Sequence, residues 1–315
     1  MAMNRVQYQR GLSMLEFFDS YGSTEGCEAW VRAWRWPEGF TCPRCHGSWH
    51  SEFRRQGRLY FQCSGCRYQC SLVSGTIFES SKLPLPKWFL AMHLMTQAKN
   101  NVSALELKRH LGVSYPTAWL LKHKLMEVML QREQSRQLTG RVEIDDAYLG
   151  GETQGGKTGR GSPNKVPFVA AVQTTEAGEP VLVCLSNFTK ESIKAFAATS
   201  LAAPATLVSD GLGCFTVIKG TGILHEPHIT GGGAASAKHP SFLAVNTVLG
   251  NLKTALAGTY HAFDFEKYAH RYLAQVQYLF NRRYDLRSIL IRLARAACTT
   301  KPHPLWDIRA AEVPC

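Results

Sequence analysis

Two sets of residues have the types and spacing to do chemistry. The first is Cys42 and Cys45 followed by Cys63 and Cys66, two Cys-x-x-Cys pairs with 17 residues between them. That spacing fits a zinc ribbon, in which two knuckles offer four thiolates to one tetrahedral Zn²⁺. With all four positions filled by protein the metal is structural, and a unit with so little core depends on it to fold. Cys70, His46 and His50 lie nearby but are not needed as ligands. The second set is acidic. Arg141–Gly150 reads as a strand carrying Asp145 and Asp146, and Ala205–Ser209 as a strand that ends at Asp210. Carboxylates at strand ends suit hard cations such as Mg²⁺ or Mn²⁺. Two such ions ~3.5–4 Å apart stabilise the attacking and leaving oxygens of phosphoryl transfer. Side chains alternate along a strand, so only one of Asp145 and Asp146 is expected to point into such a site. Glu143 shares the face of Asp145.

The elements that must hold these residues can be read from local signals. Ser51–Phe53 and Leu59–Gln62 read as short ribbon strands, joined through the basic Arg54, Arg55 and Arg58, which suit phosphate. Pro86 before the apolar run Trp88–Met95 marks a helix start. Ser103 with Glu106 forms a capping box for Ala104–Leu111, Gly112 ends that helix, and Tyr115–Leu130 reads as a longer one. Two helices about a glycine turn make a helix-turn-helix pattern, with Thr117, Lys122, His123 and Lys124 as candidate DNA contacts. Gln131–Gly140 reads as a polar linker. Strands at Val166–Thr174 and Pro180–Leu185, joined by a turn at 176–179, follow a glycine-rich loop at 150–163. A helix at Lys190–Leu201 and the strand ending at Asp210 come next. Three strands, a helix and a fourth strand delivering an aspartate is the order of an RNase H-like mixed sheet flanked by helices. The expected organisation is a helical segment at 1–35, the ribbon at 36–75, the helix-turn-helix at 76–138, the α/β catalytic unit at 139–285 and a basic tail at 286–315. In the basic stretch from Lys267 to Lys301, Arg271, Arg282 and Arg283 are expected on the exposed side of a helix.

Three phrases, Val142-Glu-Ile-Asp-Asp-Ala-Tyr-Leu-Gly-Gly151, Val208-Ser-Asp-Gly211 and Val245-Asn-Thr-Val-Leu-Gly-Asn-Leu-Lys253, resemble bacterial insertion-sequence transposases with a zinc-ribbon N-terminus. Arg35-Trp-Pro-Glu-Gly-Phe-Thr-Cys-Pro-Arg-Cys45, Gly258-Thr-Tyr-His261 and the run from Tyr272-Leu to Phe280-Asn-Arg-Arg283 are similar to that family too. The match is to the ISXO2-like branch, whose catalytic set is Asp-Asp-Asn-Lys in place of Asp-Asp-Glu. The resemblance implies Asp145 and Asp210 as the first two catalytic carboxylates, Asn246 where the family's relatives carry a third acid, and Lys253 as the lysine. It implies metal-dependent cleavage and strand transfer of DNA, binding of the element's terminal repeats and of target DNA, and a homo-oligomer on DNA. Residues 227–263 hold no Asp or Glu, so a third acid at that place is absent from the chain itself. Seven residues are nearly two helical turns, so Asn246 and Lys253 share a helix face. Asn246 offers an uncharged carbonyl oxygen, and Lys253 a positive charge beside the phosphate.

Charge supports a polyanionic partner. The 315 residues carry a net +12, split as +8 over 1–140, zero over 141–260 and +4 over 261–315. A neutral middle between basic flanks suits a catalytic core held on DNA by its ends. No apolar run is long enough to span a membrane, and the N-terminus lacks a signal-peptide core. The expected setting is a bacterial cytoplasm, on the nucleoid through DNA, where ten cysteines do not read as a disulfide framework. The rival functions are a DNA-binding regulator that has lost its chemistry and a nuclease that cuts without joining.

Overall fold

The structure is a computed structural model that describes residues 6, 8–98, 100–150, 165–174, 181–185, 189–218, 221–230, 239–260 and 263–311. The loop expected at 150–163, beyond Gly150, and the turn at 176–179 lie outside the described residues.

The chain begins with two capped helices, α1 (Met14–Tyr21) and α2 (Thr24–Arg35). Ser13 and Glu16 form a full capping box on α1, and the Ser23 side chain accepts from the Gly26 amide on α2. A three-stranded antiparallel sheet follows: β1 (His50–Arg55), β2 (Arg58–Cys63) and β3 (Gln69–Ser71). α3 (Leu85–Gln97) carries proline in its first turn. α4 (Ala104–Leu111) has the expected Ser103–Glu106 capping box and ends at Gly112, whose φ of 59° is left-handed backbone that favours glycine. Ser114 then caps α5 (Tyr115–Glu133).

The α/β unit is a five-stranded mixed sheet in the order β6-β5-β4-β7-β8. Its strands are β4 (Leu138–Leu149), β5 (Val166–Thr174), β6 (Val181–Leu185), β7 (Leu201–Ser209) and β8 (Leu224–Pro227). β4, β5 and β6 run antiparallel, while β7 and β8 run parallel to β4. Helix α6 (Lys190–Ser200) links β6 to β7. The helices that complete the chain are α7 (Leu243–Tyr260), α8 (Phe265–Phe280), α9 (Leu286–Thr299) and α10 (Leu305–Ala310).

The pleat divides β4 cleanly. Val142 and Ile144 join Val169, Leu207, Ile193 and Phe196 in one core beneath α6. Ala147 and Leu149 join Phe168, Val208, Val245 and Leu249 in a larger core that also contains Phe17, Phe61 and Leu293. The sheet is thus covered on both faces. The larger core runs without a break from α1 to α9, across the boundaries expected near 138 and 285.

That shared core changes the expected surface. α5 is buried almost all round, from Ala118 through Met129, which is the pattern of a core helix. Lys122 and Lys124, expected to reach DNA, are only 1% and 7% exposed. The Lys122 ammonium lies 3.7 Å from the Tyr260 ring centroid and 4.8 Å from that of Tyr272, and burial pushes its pKa well below the lysine range. His123 is buried too, its ring centroid 4.0 Å from that of Trp119. These residues lie inward because α8 packs along α5, so the sequence's basic stripe faces protein and not solvent. Thr117, half-buried, stays near the exposed Tyr115 and Pro116 at the start of α5.

The supposed linker after α5 is also structural. Glu133 is buried, accepts from Arg136, Arg282 and Asn281, and ties the end of α5 to α8. Burial alone would raise its pKa, but the Arg136 hydrogen bond and the charges of Arg282 and Arg136 hold it below the usual carboxylate value. Arg271 and Arg282, expected on an exposed face, are therefore inside, Arg271 paired with Glu127 at 2.8 Å. Their positions follow from the partner carboxylates on α5, which periodicity along α8 does not reveal. Arg283 is half-buried and lies over the Phe280 ring. The tail is ordered as well: Ile289, Leu290, Leu293 and Ala297 of α9 are buried.

Glu133→Ala leaves Arg282 buried without its counter-charge, so we expect a loss of about 3–5 kcal/mol in chemical denaturation. Because the Glu133 pKa is lowered on folding, its contribution is present above the unfolded carboxylate value and fades as pH falls below it. The stability gap between wild type and variant should therefore narrow in acid.

Candidate metal centres and catalytic site

In the ribbon the four cysteines come together. Cys42 Sγ is 3.6 Å from Cys66 Sγ, Cys45 Sγ is 3.5 Å from Cys63 Sγ, and all four sulfurs lie within 4.8 Å of one another. Four thiolates ~2.3 Å from one zinc stand about 3.8 Å apart along a tetrahedron's edges, so the set fits the ion. The knuckle amides aim at sulfur, with Arg44 N–H 3.5 Å from Cys42 Sγ. The Cys66 amide, more than any other group, draws the Cys63 thiol down to about 6. Phe40, Phe61 and Trp36 pack beside the cluster, Phe40 and Phe61 stacked at 5.3 Å. Among the ribbon arginines, Arg54 pairs with Glu28 at 2.6 Å and Arg58 donates to the Ser81 carbonyl at 2.5 Å. Arg55 is exposed, over the rings of Phe53 and Tyr60.

The acidic site is built by the register between parallel neighbours. Glu143 of β4 pairs with Val208 of β7, so two residues further on Asp145 comes level with Asp210. Both then lie on the face that α7 covers. β7 ends at Ser209, and Gly211, at φ 82°, lets the chain turn away directly after Asp210. A Cβ there would also stand 3.2 Å from Ile229. Asp210 Oδ1 accepts from the Leu212 amide at 3.0 Å.

Asp146 joins the same cluster, contrary to the expectation that only one of the pair could. A carboxylate oxygen from each of Asp145, Asp146 and Asp210 lies within 4.8 Å of the others. Pairing between β4 and β7 stops at Glu143–Val208, so the two aspartates flank an open strand edge. Short side chains from either face can reach around it. Asp145 Oδ1 accepts the Asp146 amide at 2.9 Å. Burial and the charges of Asp146 and Asp210 push the Asp145 carboxyl up to about 6, against the pull of Lys253. Three crowded, mutually repelling carboxylates offering hard oxygens are a donor set for a divalent cation.

α7 brings the other two residues. Buried Glu143 accepts from the amides of Ala244 and Val245 at 2.9 and 3.0 Å, through one oxygen. Those amides are orphan donors in the helix's first turn, and a carboxylate also suits the positive end of the helix dipole. The clamp fixes α7 to β4 one residue before Asn246 and two residues before Asp145. Asn246 is half-buried, and Lys253 is exposed but close enough to act on Asp145 electrostatically. Alternation on β4 places Glu143 beside Asp145, but the amides it holds are 101 and 102 residues away and leave no local signal.

Comparison with known proteins places the chain in a family. Residues 137–281 match the ISXO2-like transposase domain, and residues 22–69 match the transposase zinc-ribbon domain. The chain belongs to the insertion-sequence transposases with an N-terminal zinc ribbon. It is 32% identical over 118 residues to an uncharacterized protein in transposable element ISH50 of Halobacterium salinarum. That match covers 36% of this chain and 38% of the relative, so the chain spans under two fifths of the relative's length. No helix among the described residues is long and apolar enough to cross a membrane.

Two outcomes follow. Cys63→Ser should lower bound zinc below one equivalent by elemental analysis and expose the Phe61 core to proteolysis. The raised Asp145 pKa means that ionisation costs stability as pH rises through about 6, and that this cost is relieved in acid. Asp145→Asn removes it, so in metal-free buffer the variant should melt higher than wild type at pH 8, with the gap closing by pH 4.

Proposed function

We propose that the chain is a DNA transposase that cuts at the ends of its element and joins them to target DNA. The observation that carries this reading is the carboxylate cluster of Asp145, Asp146 and Asp210 beside a helix bearing Asn246 and Lys253. Asp145, Asp146 and Asp210, with the Asn246 carbonyl, would hold Mg²⁺ or Mn²⁺, which supplies Lewis acidity for phosphoryl transfer. The protein's own part is to position. The β4–β7 register fixes the aspartates, Glu143 fixes α7, and Lys253 brings positive charge to the scissile phosphate as negative charge develops there. Asp146 supplies a negative oxygen that the chain lacks at 246. The first reaction is water attack on a phosphodiester at the element end, and the second is attack by the freed 3′-hydroxyl on target DNA.

DNA is held outside this site. The zinc ribbon presents the exposed Arg55, with Arg54 and Arg58 beside it, and the α4–Gly112–α5 turn presents Tyr115, Pro116 and Thr117. These surfaces read the terminal repeats as a zinc ribbon followed by a helix-turn-helix, and Arg283 adds charge near the end of α8. Synapsis of two ends requires a homo-oligomer, working on DNA in the cytoplasm.

Incubation with terminal-repeat DNA, a target plasmid and Mg²⁺ tests the reading. Wild type should give joined products. Asp145→Ala and Asp210→Ala should reduce them by at least ~10³-fold while still binding the repeat. Asp146→Asn should need more Mg²⁺ for the same rate, and Lys253→Ala should slow joining by about 10²-fold. Binding without any metal-dependent product would make the chain a regulator, and cleavage without joining would make it a nuclease.

A further inference from the structure

A pocket of about 600 Å³ opens between α2, α5, α8 and α9, and none of the residues that line it belongs to the acidic cluster or to α7. Its wall carries four guanidinium groups, from Arg132, Arg282, Arg292 and Arg295, and no carboxylate. Arg282 is occupied by Glu133, and Arg292 reaches Asp285 only at 3.8 Å between exposed side chains. Arg295 lies over the Trp34 ring at 4.3 Å, a flat shelf that holds the cation in place without neutralising it. Two to three positive charges therefore face the pocket without a close counter-ion.

A second observation points into the same place. Tyr278 also lines the pocket; its side chain is fully buried, yet its hydroxyl has no hydrogen-bond partner. An unpaired buried hydroxyl costs free energy, and natural proteins rarely keep one without a use. Arg282 stacks on the Tyr278 ring at 3.6 Å, and the charges of Arg282, Arg132 and Arg292 act on the hydroxyl against that of Glu133. Burial pushes that phenol up to about 12, so it stays protonated and available to donate.

We infer that this pocket binds a phosphate group, with Arg132, Arg292 and Arg295 supplying charge and the Tyr278 hydroxyl donating a hydrogen bond. Guanidinium groups match the oxygens of phosphates and carboxylates in a bidentate fork, so a set of them without acids calls for an oxyanion, and phosphate brings the most charge to three of them. In this protein the source is the sugar–phosphate backbone of DNA; that source, though not the phosphate chemistry, rests on the transposase reading. The pocket anchors DNA without reading sequence, because backbone contacts position the duplex and base contacts specify it.

The test uses the full zinc-loaded chain, a 20-base-pair duplex of arbitrary sequence, and inorganic pyrophosphate as the free-phosphate probe. The variants are Arg292→Glu with Arg295→Glu, and Tyr278→Phe, each checked by thermal melting. The charge-reversed variant should bind the duplex at least about tenfold more weakly, and the slope of log affinity against log salt should fall by about 1 per phosphate lost. Tyr278→Phe, which removes one oxygen and no charge, should cost about three- to tenfold, the worth of one hydrogen bond. If wild type binds duplex and Tyr278→Phe binds it equally well, the pocket is overturned whatever the charge reversal does, and the transposase reading stands. If wild type binds no duplex, the DNA source falls. Pyrophosphate binding weakened in both variants then keeps the pocket as a free-phosphate site, and pyrophosphate that fails to bind, or that binds both variants as well as wild type, overturns it.

Discussion

The structure depends on one junction, where β4 meets β7 in parallel and α7 across its face. Glu143 stands at that junction on both counts. Its backbone sets the last register pair with Val208, and its side chain holds the first amides of α7. One residue type could not do both jobs if it were neutral or short: a carboxylate reaches the helix and complements its dipole. Burial pushes the Glu143 carboxyl up, and the two amides pull it back, so the charge is tolerated only because the helix is there. The acidic cluster and the Asn246–Lys253 face are consequently parts of one rigid arrangement, not separate motifs that meet by chance.

The same junction explains how a chain lacking the third acid can still gather three carboxylates. An interior strand paired on both sides would hold Asp145 and Asp146 on opposite faces. Here β7 stops one residue before Asp210, and the edge beyond it is open on that side. Burial and the repulsion within the cluster together raise the Asp145 pKa, and a divalent cation relieves the repulsion. The site is therefore strained in the direction of its ligand, as binding sites built from like charges are.

What could be read from the sequence follows the range of the interactions. Local signals were legible: the Ser103–Glu106 capping box, the stop at Gly112, the strand Val166–Thr174 and the cysteine knuckles all stand where spacing and caps put them. The central register was legible in part, because strands ending at aspartates imply a shared sheet end. The partner of a buried charge was not. Lys122, Arg271 and Arg282 look like surface cations in any window of sequence, and their places depend on rings and carboxylates more than a hundred residues away. Nor could the reach of Asp146 be seen, since alternation assumes a strand paired on both sides.

That displacement of cations bears on the net charge of +12. Arg271 and Arg282 are neutralised within the core, and burial disfavours the charged form of Lys122. Part of the basic excess near the middle and end of the chain is thus spent on holding α5 against α7 and α8. The charge left to meet a polyanion is narrower than the count suggests and sits in particular places: Arg55 on the ribbon, Lys253 on α7, and the arginines that α9 turns outward because Ile289, Leu290 and Leu293 turn inward. The amphipathic period of α9 does both things at once. Its apolar stripe closes the core, and the same turns leave Arg292 and Arg295 at one pocket with Arg132 of α5. Packing, and not composition, decides where a basic protein is positive.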